Sequence, residues 1–237
     1  MDTIKYISYF EYRYNNKSIL RSIYFRMASG NSVTNLYLCG LACTAKSTTL
    51  RAISQEHKIN VIYGDYFEQS QLHPEFLNKH KDPSIQIIYT IQQTYKSTIN
   101  THSIFDRSPI SDFLYSLIFD EQAQPGAGIA KLKSKLKWKL FNEICMSYKT
   151  LYIILEDEDI HARHDILKKM SNRNNGLDDI TEDYIVAQQK IFKLISNEIS
   201  NYKALIKPKQ IIIHTQEYYK WLKEGVENFL RENYLLK

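Results

Sequence analysis

Lys46, Ser47 and Thr48 follow a turn that opens at Gly40, and those residue types at that spacing suit the handling of phosphate. The apolar run Leu36-Tyr37-Leu38-Cys39 reads as a strand ending at Gly40. Four residues, Leu41, Ala42, Cys43 and Thr44, separate it from Ala45, and Lys46-Ser47-Thr48 opens a helical segment. This is the frame G-x-x-x-x-G-K-[ST] with Ala45 in place of its second glycine. A loop of this kind turns successive backbone N–H groups toward an anion, and the following helix N-terminus adds partial positive charge. The lysine then reaches the outer phosphates, and the serine hydroxyl ligates the magnesium that bridges them. Ala45 stands where a left-handed backbone is expected, a conformation that costs a residue with a Cβ on the order of 1 kcal/mol. The competing reading is an ordinary strand-to-helix turn that happens to carry Lys-Ser-Thr.

Other residues could join the same chemistry. Moving a γ-phosphoryl group requires neutralisation of its charge, a positioned nucleophile and a base for the nucleophile's proton. Lys46 and Arg107 can supply fixed positive charge, and Arg163 and Arg173 lie on a segment able to close over phosphates and exclude water. Asp65 is a candidate base, and Ser47 and Asp106 offer the hard oxygens that magnesium prefers. The amide of Gln93 can donate and accept along one base edge, with Asp112 selecting an exocyclic amino group. Each has a plainer reading. Asp65 follows Gly64 and suits a turn, and Asp106-Arg107 suits a structural ion pair. Gln93 and Asp112 also suit a solvated helix face.

The elements that must position these residues alternate along the chain. Strands are expected at 36–39, 59–63, 103–105, 151–155 and 211–214. Helices are expected at 46–57, 84–100, 110–122, 131–149, from 160, from Thr181 to about 202, and 217–233. A loop or irregular helix fills 66–82, and a polar arc from Ser171 to Asp179 breaks the pattern. Alternation of this kind predicts an α/β fold of three layers, a five-stranded parallel sheet with helices on both faces. Ligands then bind at the carboxyl ends of the strands, where Lys46, Asp65, Asp106 and Arg107 all fall.

Composition agrees with one globular unit. The chain has 237 residues, 43% hydrophobic and 24% charged, with only 7 Gly and 5 Pro. A net charge of +5, spread along the chain, fits small polyanions and is too weak to argue for wrapping DNA, so no nucleic-acid partner is expected. Cys39, Cys43 and Cys145 lack metal spacing and read as reduced thiols of a cytoplasmic protein. No apolar run is long enough to span a bilayer, so no membrane partner is expected. Residues 1–33 are basic and tyrosine-rich and read as an N-terminal extension, with the catalytic domain occupying 34–237.

At Asp106-Arg107-Ser108-Pro109-Ile110-Ser111-Asp112 the chain resembles the deoxyribonucleoside kinases, relatives of thymidylate kinase. That family carries an acidic-Arg-Ser motif after its third strand, and several members follow it with Ser-Asp at this spacing. Gln93-Thr94-Tyr95 resembles its base-reading helix, and Asp65 lies nineteen positions after Lys46, where the family places a carboxylate. The segment from Arg163 to Asp179, then Tyr184, is similar to its arginine-bearing lid, about 160–180, with Asp178 and Asp179 on the substrate side. Gln216-Glu217 is similar to the start of its adenine loop. The departures are Ala45, aspartate rather than glutamate at 65 with Tyr66 beside it, and Asn100 where some relatives carry an arginine.

The resemblance implies an ATP- and Mg2+-dependent kinase acting on the 5′-hydroxyl of a small-molecule deoxynucleoside, and a homodimer. Residues 40–48 with Gln216 and Glu217 would hold the nucleotide. Asp65, Tyr66, Gln93, Arg107, Asp112, Asp178 and Asp179 would hold the nucleoside, Asp112 favouring bases with an amino group. The lysines of 131–139 read as a solvated face beside a dimer contact. Three alternatives stay open: a nucleoside monophosphate kinase of thymidylate type, a nucleotide-binding protein disabled at Ala45, and simple hydrolysis at the loop.

Overall fold

The protein, seen as a computed structural model, is described over residues 35–63, 96, 100, 102–146, 148–173 and 179–236. Its centre is β1 (Leu36–Gly40), buried along its whole length as an apolar strand flanked on both sides must be. With β2 (Asn60–Tyr63), β3 (Ser103–Asp106), β4 (Lys149–Leu155) and β5 (Tyr202–Lys207) it forms one sheet in the order β2-β3-β1-β4-β5. Every pairing is parallel, as the alternation of strands and helices requires. The register sets Tyr63 beside Asp106, Leu38 beside Asp106, and Gly40 beside Ile153, so the chemically suggestive strand ends share one edge of the sheet.

The helices are α1 (Lys46–His57), α2 (Ser111–Ala123), α3 (Ala127–Leu136), α4 (Lys139–Met146), α5 (Ile160–Arg173), α6 (Glu182–Glu198) and α7 (Gln216–Glu232). Helix α6 buries Tyr184, Ile185, Gln188, Ile191, Phe192 and Ile195 at helical spacing and packs on α2, β4 and β5. Helix α7 packs on α1. The side-chain oxygens of Thr181 and Thr215 accept the N–H of Tyr184 and of Tyr218, each 3.2 Å, and so close the N-termini of α6 and α7. None of the helices among the described residues is long and apolar enough to cross a membrane.

Three local expectations are corrected. The fifth strand is Tyr202–Lys207, whereas 211–214 forms turns in which Ile211 and Ile213 are buried and Ile212 is exposed. Helix α6 accordingly stops at Glu198, where Ile199 adopts an extended backbone. The basic helix expected over 131–149 is two helices, because the N–H of Lys137 bonds Ser134 and that of Trp138 bonds Lys135, tightening the last turn of α3 until it ends. Within the polar arc, α5 continues to Arg173. Of the helix expected at 84–100, Lys96 and Asn100 are described, with Asn100 donating its N–H to the Lys96 carbonyl at 3.1 Å.

Candidate active site

The loop from Gly40 to Ala45 is held from outside. Gly40 has φ +119, and a Cβ there would lie 2.2 Å from the Ile153 carbonyl oxygen, so the close passage of the chain over β4 requires glycine. The N–H of Leu41 donates to Ile153 O at 3.0 Å, and that of Ala42 donates to the buried side-chain oxygen of Gln188 at 3.1 Å. On the far side the Tyr218 hydroxyl donates to the Thr44 carbonyl at 2.9 Å. Cys43 and Ala45 both take the left-handed backbone, with φ 53 and φ 58, so Ala45 adopts the conformation that the motif assigns to glycine. No side chain caps α1, which leaves the N–H groups of its first turn available to an anion. The Lys46 ammonium lies within the loop, donating to Leu41 O at 2.5 Å and to Thr44 Oγ1 at 3.3 Å. Burial depresses its pKa below the usual lysine value; Asp106 opposes that shift and Arg107 reinforces it.

Asp106 ends β3 nearly buried, and its Oδ2 accepts the Ser47 hydroxyl. A carboxylate and a hydroxyl in direct contact at the mouth of a phosphate loop form a hard-oxygen pair that fits magnesium. Arg107 has a left-handed backbone, φ 88, and donates its N–H to Leu38 O at 2.9 Å, and its guanidinium lies 5.1 Å from the centre of the Tyr115 ring. The following turn is tied beneath β1: the Ser108 N–H reaches Cys39 Sγ at 3.1 Å and Ser111 Oγ at 3.0 Å. This fixes the start of α2 and with it Asp112, a half-buried carboxyl that burial pushes up to about 7 against the opposing charge of Arg107.

The structure thus brings Gly40, Leu41, Ala42, Cys43, Thr44, Ala45, Lys46, Ser47 and Thr48 to one strand edge with Asp106, Arg107 and Asp112. Arg163 lies in the second turn of α5 and pairs with Glu182 of α6 at 3.2 Å, which turns its charge toward α6; its Nε has no hydrogen-bond partner among the described residues. Arg173 is the exposed last residue of α5, and the Asp179 carbonyl receives the Thr181 N–H at 2.9 Å ahead of α6. Gln216 and Glu217 form the first turn of α7; with β5 ending at Lys207, the loop after that strand is 208–215. Asp65, Tyr66, Gln93 and Asp178 lie outside the described residues.

Three contributors escaped the sequence reading. Gln188 was legible as a polar residue on the inward stripe of its helix, and Tyr218 only as one of many tyrosines. The third is a buried ion pair, Lys207 Nζ to Asp159 Oδ2 at 2.6 Å, with Asp159 Oδ1 also accepting the Ala162 N–H at 3.0 Å. It joins the end of β5 to the start of α5.

Comparison with known proteins gives a fold. No family model matches the chain. An uncharacterized 33.9 kDa protein of Lymantria dispar multicapsid nuclear polyhedrosis virus is 28% identical over 174 residues, 72% of this chain. The match spans 56% of that protein, so the chain accounts for about half the length of its curated relative. The YorR protein of Bacillus subtilis, solved with phosphorylated GDP, aligns over 84% of this chain and 97% of its own at 14% identity and a TM-score of 0.45. The deoxyadenosine kinase of M. mycoides, solved with bound dATP, aligns over 81% of this chain and 98% of its own, with 13% identity and a TM-score of 0.52. The chain has a deoxynucleoside-kinase-like P-loop fold.

Proposed function

We propose that the protein is a phosphotransferase that moves the γ-phosphoryl group of ATP to the 5′-hydroxyl of a deoxyribonucleoside. The observation that carries this reading is the meeting, on one edge of the sheet, of a held phosphate loop with the Ser47–Asp106 pair, Arg107 and Asp112. In the reaction the bond between the γ-phosphorus and the β–γ bridging oxygen breaks as a bond from the sugar 5′-oxygen forms. ADP leaves with the electron pair, and the hydroxyl proton passes to a carboxylate. Asp65 is the candidate for that carboxylate, two positions beyond the end of β2 at Tyr63.

Lys46 and Arg107 would offset the charge of the transferring group, which accounts for most of the work in this chemistry. Ser47 and Asp106 would hold Mg2+, which when bound neutralises charge on the phosphates. Arg163 and Arg173 would close over the phosphates with α5, Arg163 leaving Glu182 to do so. Gln93 and Asp112 would read the base, with Tyr66, Asp178 and Asp179 beside the sugar. Gln216 and Glu217 would flank the donor base. We further propose that residues 1–33 lie outside this catalytic domain, and that the enzyme acts as a homodimer in the cytoplasm.

One ATP-coupled assay over the four deoxynucleosides and their monophosphates tests the reading. Turnover of nucleosides, with those bearing an amino group preferred, is the expected result. Turnover of monophosphates alone would make the protein a nucleoside monophosphate kinase. ATP binding without turnover of any of the eight would make it a nucleotide-binding protein that keeps the fold.

A further inference from the structure

The corner between α3 and α4 carries a lysine at every second position from Lys131 to Lys139, with Trp138 among them. Two of these lysines meet carboxylates: Lys131 reaches Asp120 at 2.8 Å, and Lys139 stands 3.8 Å from Glu143. Among the described residues no carboxylate pairs with Lys133 or Lys137. The Lys135 ammonium lies over the Trp138 ring, 3.5 Å from its centre, yet the indole is 56% exposed. One face of a large aromatic is therefore covered by a cation while much of its surface stays open to solvent. Phe141, one turn on, packs edge to face against Phe113 at 5.2 Å, and Phe113 follows Asp112. The corner thus stands at the same end of α2 as the candidate acceptor side of the site.

Local stability explains part of this arrangement and fails at the rest. Lys133 and Lys135 fall in the last turn of α3, where cations offset the helix dipole. Lys139 opens α4, whose first turn has no acidic residue, and a cation is unfavourable at that end. Lys137 closes the C-terminus of α3, where a cation is favourable, but adds a like charge beside Lys139, and an exposed indole gains nothing from burial. Of these lysines, Lys139 alone is placed where a helix end disfavours it, and such a local conflict is the kind that function retains.

We propose that this corner is a docking surface for single-stranded nucleic acid, with Lys133, Lys137 and Lys139 on successive phosphates and one base stacked on the open part of Trp138. An aromatic platform interleaved with lysines is the combination that holds single strands without sequence preference. A bilayer surface would call for a contiguous apolar face, whereas the exposed large apolar side chains described from α2 to α4 are Trp138 and, at the far end of α4, Met146. An acidic peptide would satisfy the lysines and leave the indole unused. The overall charge of +5 gave no case for a nucleic-acid partner because it averages away this local concentration.

The surface is separate from the phosphate loop, so its test needs neither ATP nor turnover. The full chain is titrated with a fluorescent single-stranded thymidine homopolymer of about twelve nucleotides, reading anisotropy and Trp fluorescence. Trp138 should be quenched, and Trp221, the other tryptophan, serves as the internal reference. Three phosphate contacts at roughly 0.7 each predict a log–log salt slope of about −2, falling to about −0.7 in Lys133→Gln/Lys137→Gln. Trp138→Ala should weaken binding about tenfold, and Trp138→Phe should keep most of it. Unchanged affinity in Trp138→Ala, equal binding of polyglutamate, or preference for phosphatidylserine vesicles would each overturn the proposal. Absence of binding at low salt would do the same.

Discussion

Ala45 shows how a motif can depart from its pattern and keep its geometry. With φ 58 and ψ 20 it lies in the small left-handed region open to ordinary residues, so the loop closes over Lys46 at modest strain. That conformation was foreseeable from position alone, because Gly40, Lys46 and Ser47 fix where the left-handed residue must fall. The state of Asp112 was not foreseeable, since it depends on what covers a helix start. Burial raises its carboxyl to about 7 from an ordinary 3.8, outweighing Arg107. A carboxyl whose pKa rises on folding adds stability that is full below its unfolded value and is lost as pH climbs through about 7. Asp112→Asn lacks that dependence. Its advantage over the parent should therefore be larger at about pH 8 than at about pH 5, by roughly 1 kcal/mol, or about 2–4 °C in Tm at this size. A constant difference in melting temperature across that range would mean that burial does not govern Asp112.

Among the elements, β1, β3 and β4 could be read directly because central strands of a parallel sheet are continuous apolar runs. The edge strand β5 could not. Its sequence Tyr-Lys-Ala-Leu-Ile-Lys places lysines at 203 and 207, while the nearby Ile211-Ile212-Ile213 offers a stronger apolar run in what proves to be a pair of turns. Lys207 is 1% exposed at the end of that strand because Asp159, at 3%, receives it. No local pattern reveals a partner 48 positions away. The pair also fixes α5, since Asp159 caps that helix and Glu156 N donates to Lys207 O at 3.1 Å. Lys207→Met would leave Asp159 buried and uncompensated, at a cost of about 3–5 kcal/mol. Lys207→Met/Asp159→Asn should recover most of that, because asparagine is neutral and its oxygen can still cap α5. Urea unfolding of both variants measures this; a double variant no more stable than the single one would show that the pair matters through its shape rather than its charge.

For the whole molecule, three separate parts of the chain hold one loop: Ile153 from β4, Gln188 from α6 and Tyr218 from α7. Because these anchors belong to the native state alone, a ligand that fills the loop binds the folded protein and not the unfolded chain. Its binding energy then appears as stability. At a hundredfold excess over Kd the gain is about 2.7 kcal/mol, so Mg-ATP should raise Tm by about 5–10 °C. With Ser47 and Asp106 as the magnesium ligands, EDTA should remove much of the rise, and Lys46→Ala should remove nearly all of it while the ligand-free protein melts as before. A rise that survives Lys46→Ala would place the nucleotide elsewhere on the molecule. A normal rise in a protein that turns over no nucleoside or monophosphate would separate the two halves of the proposed function, since the loop would hold its anion while the acceptor side no longer delivered a hydroxyl to it.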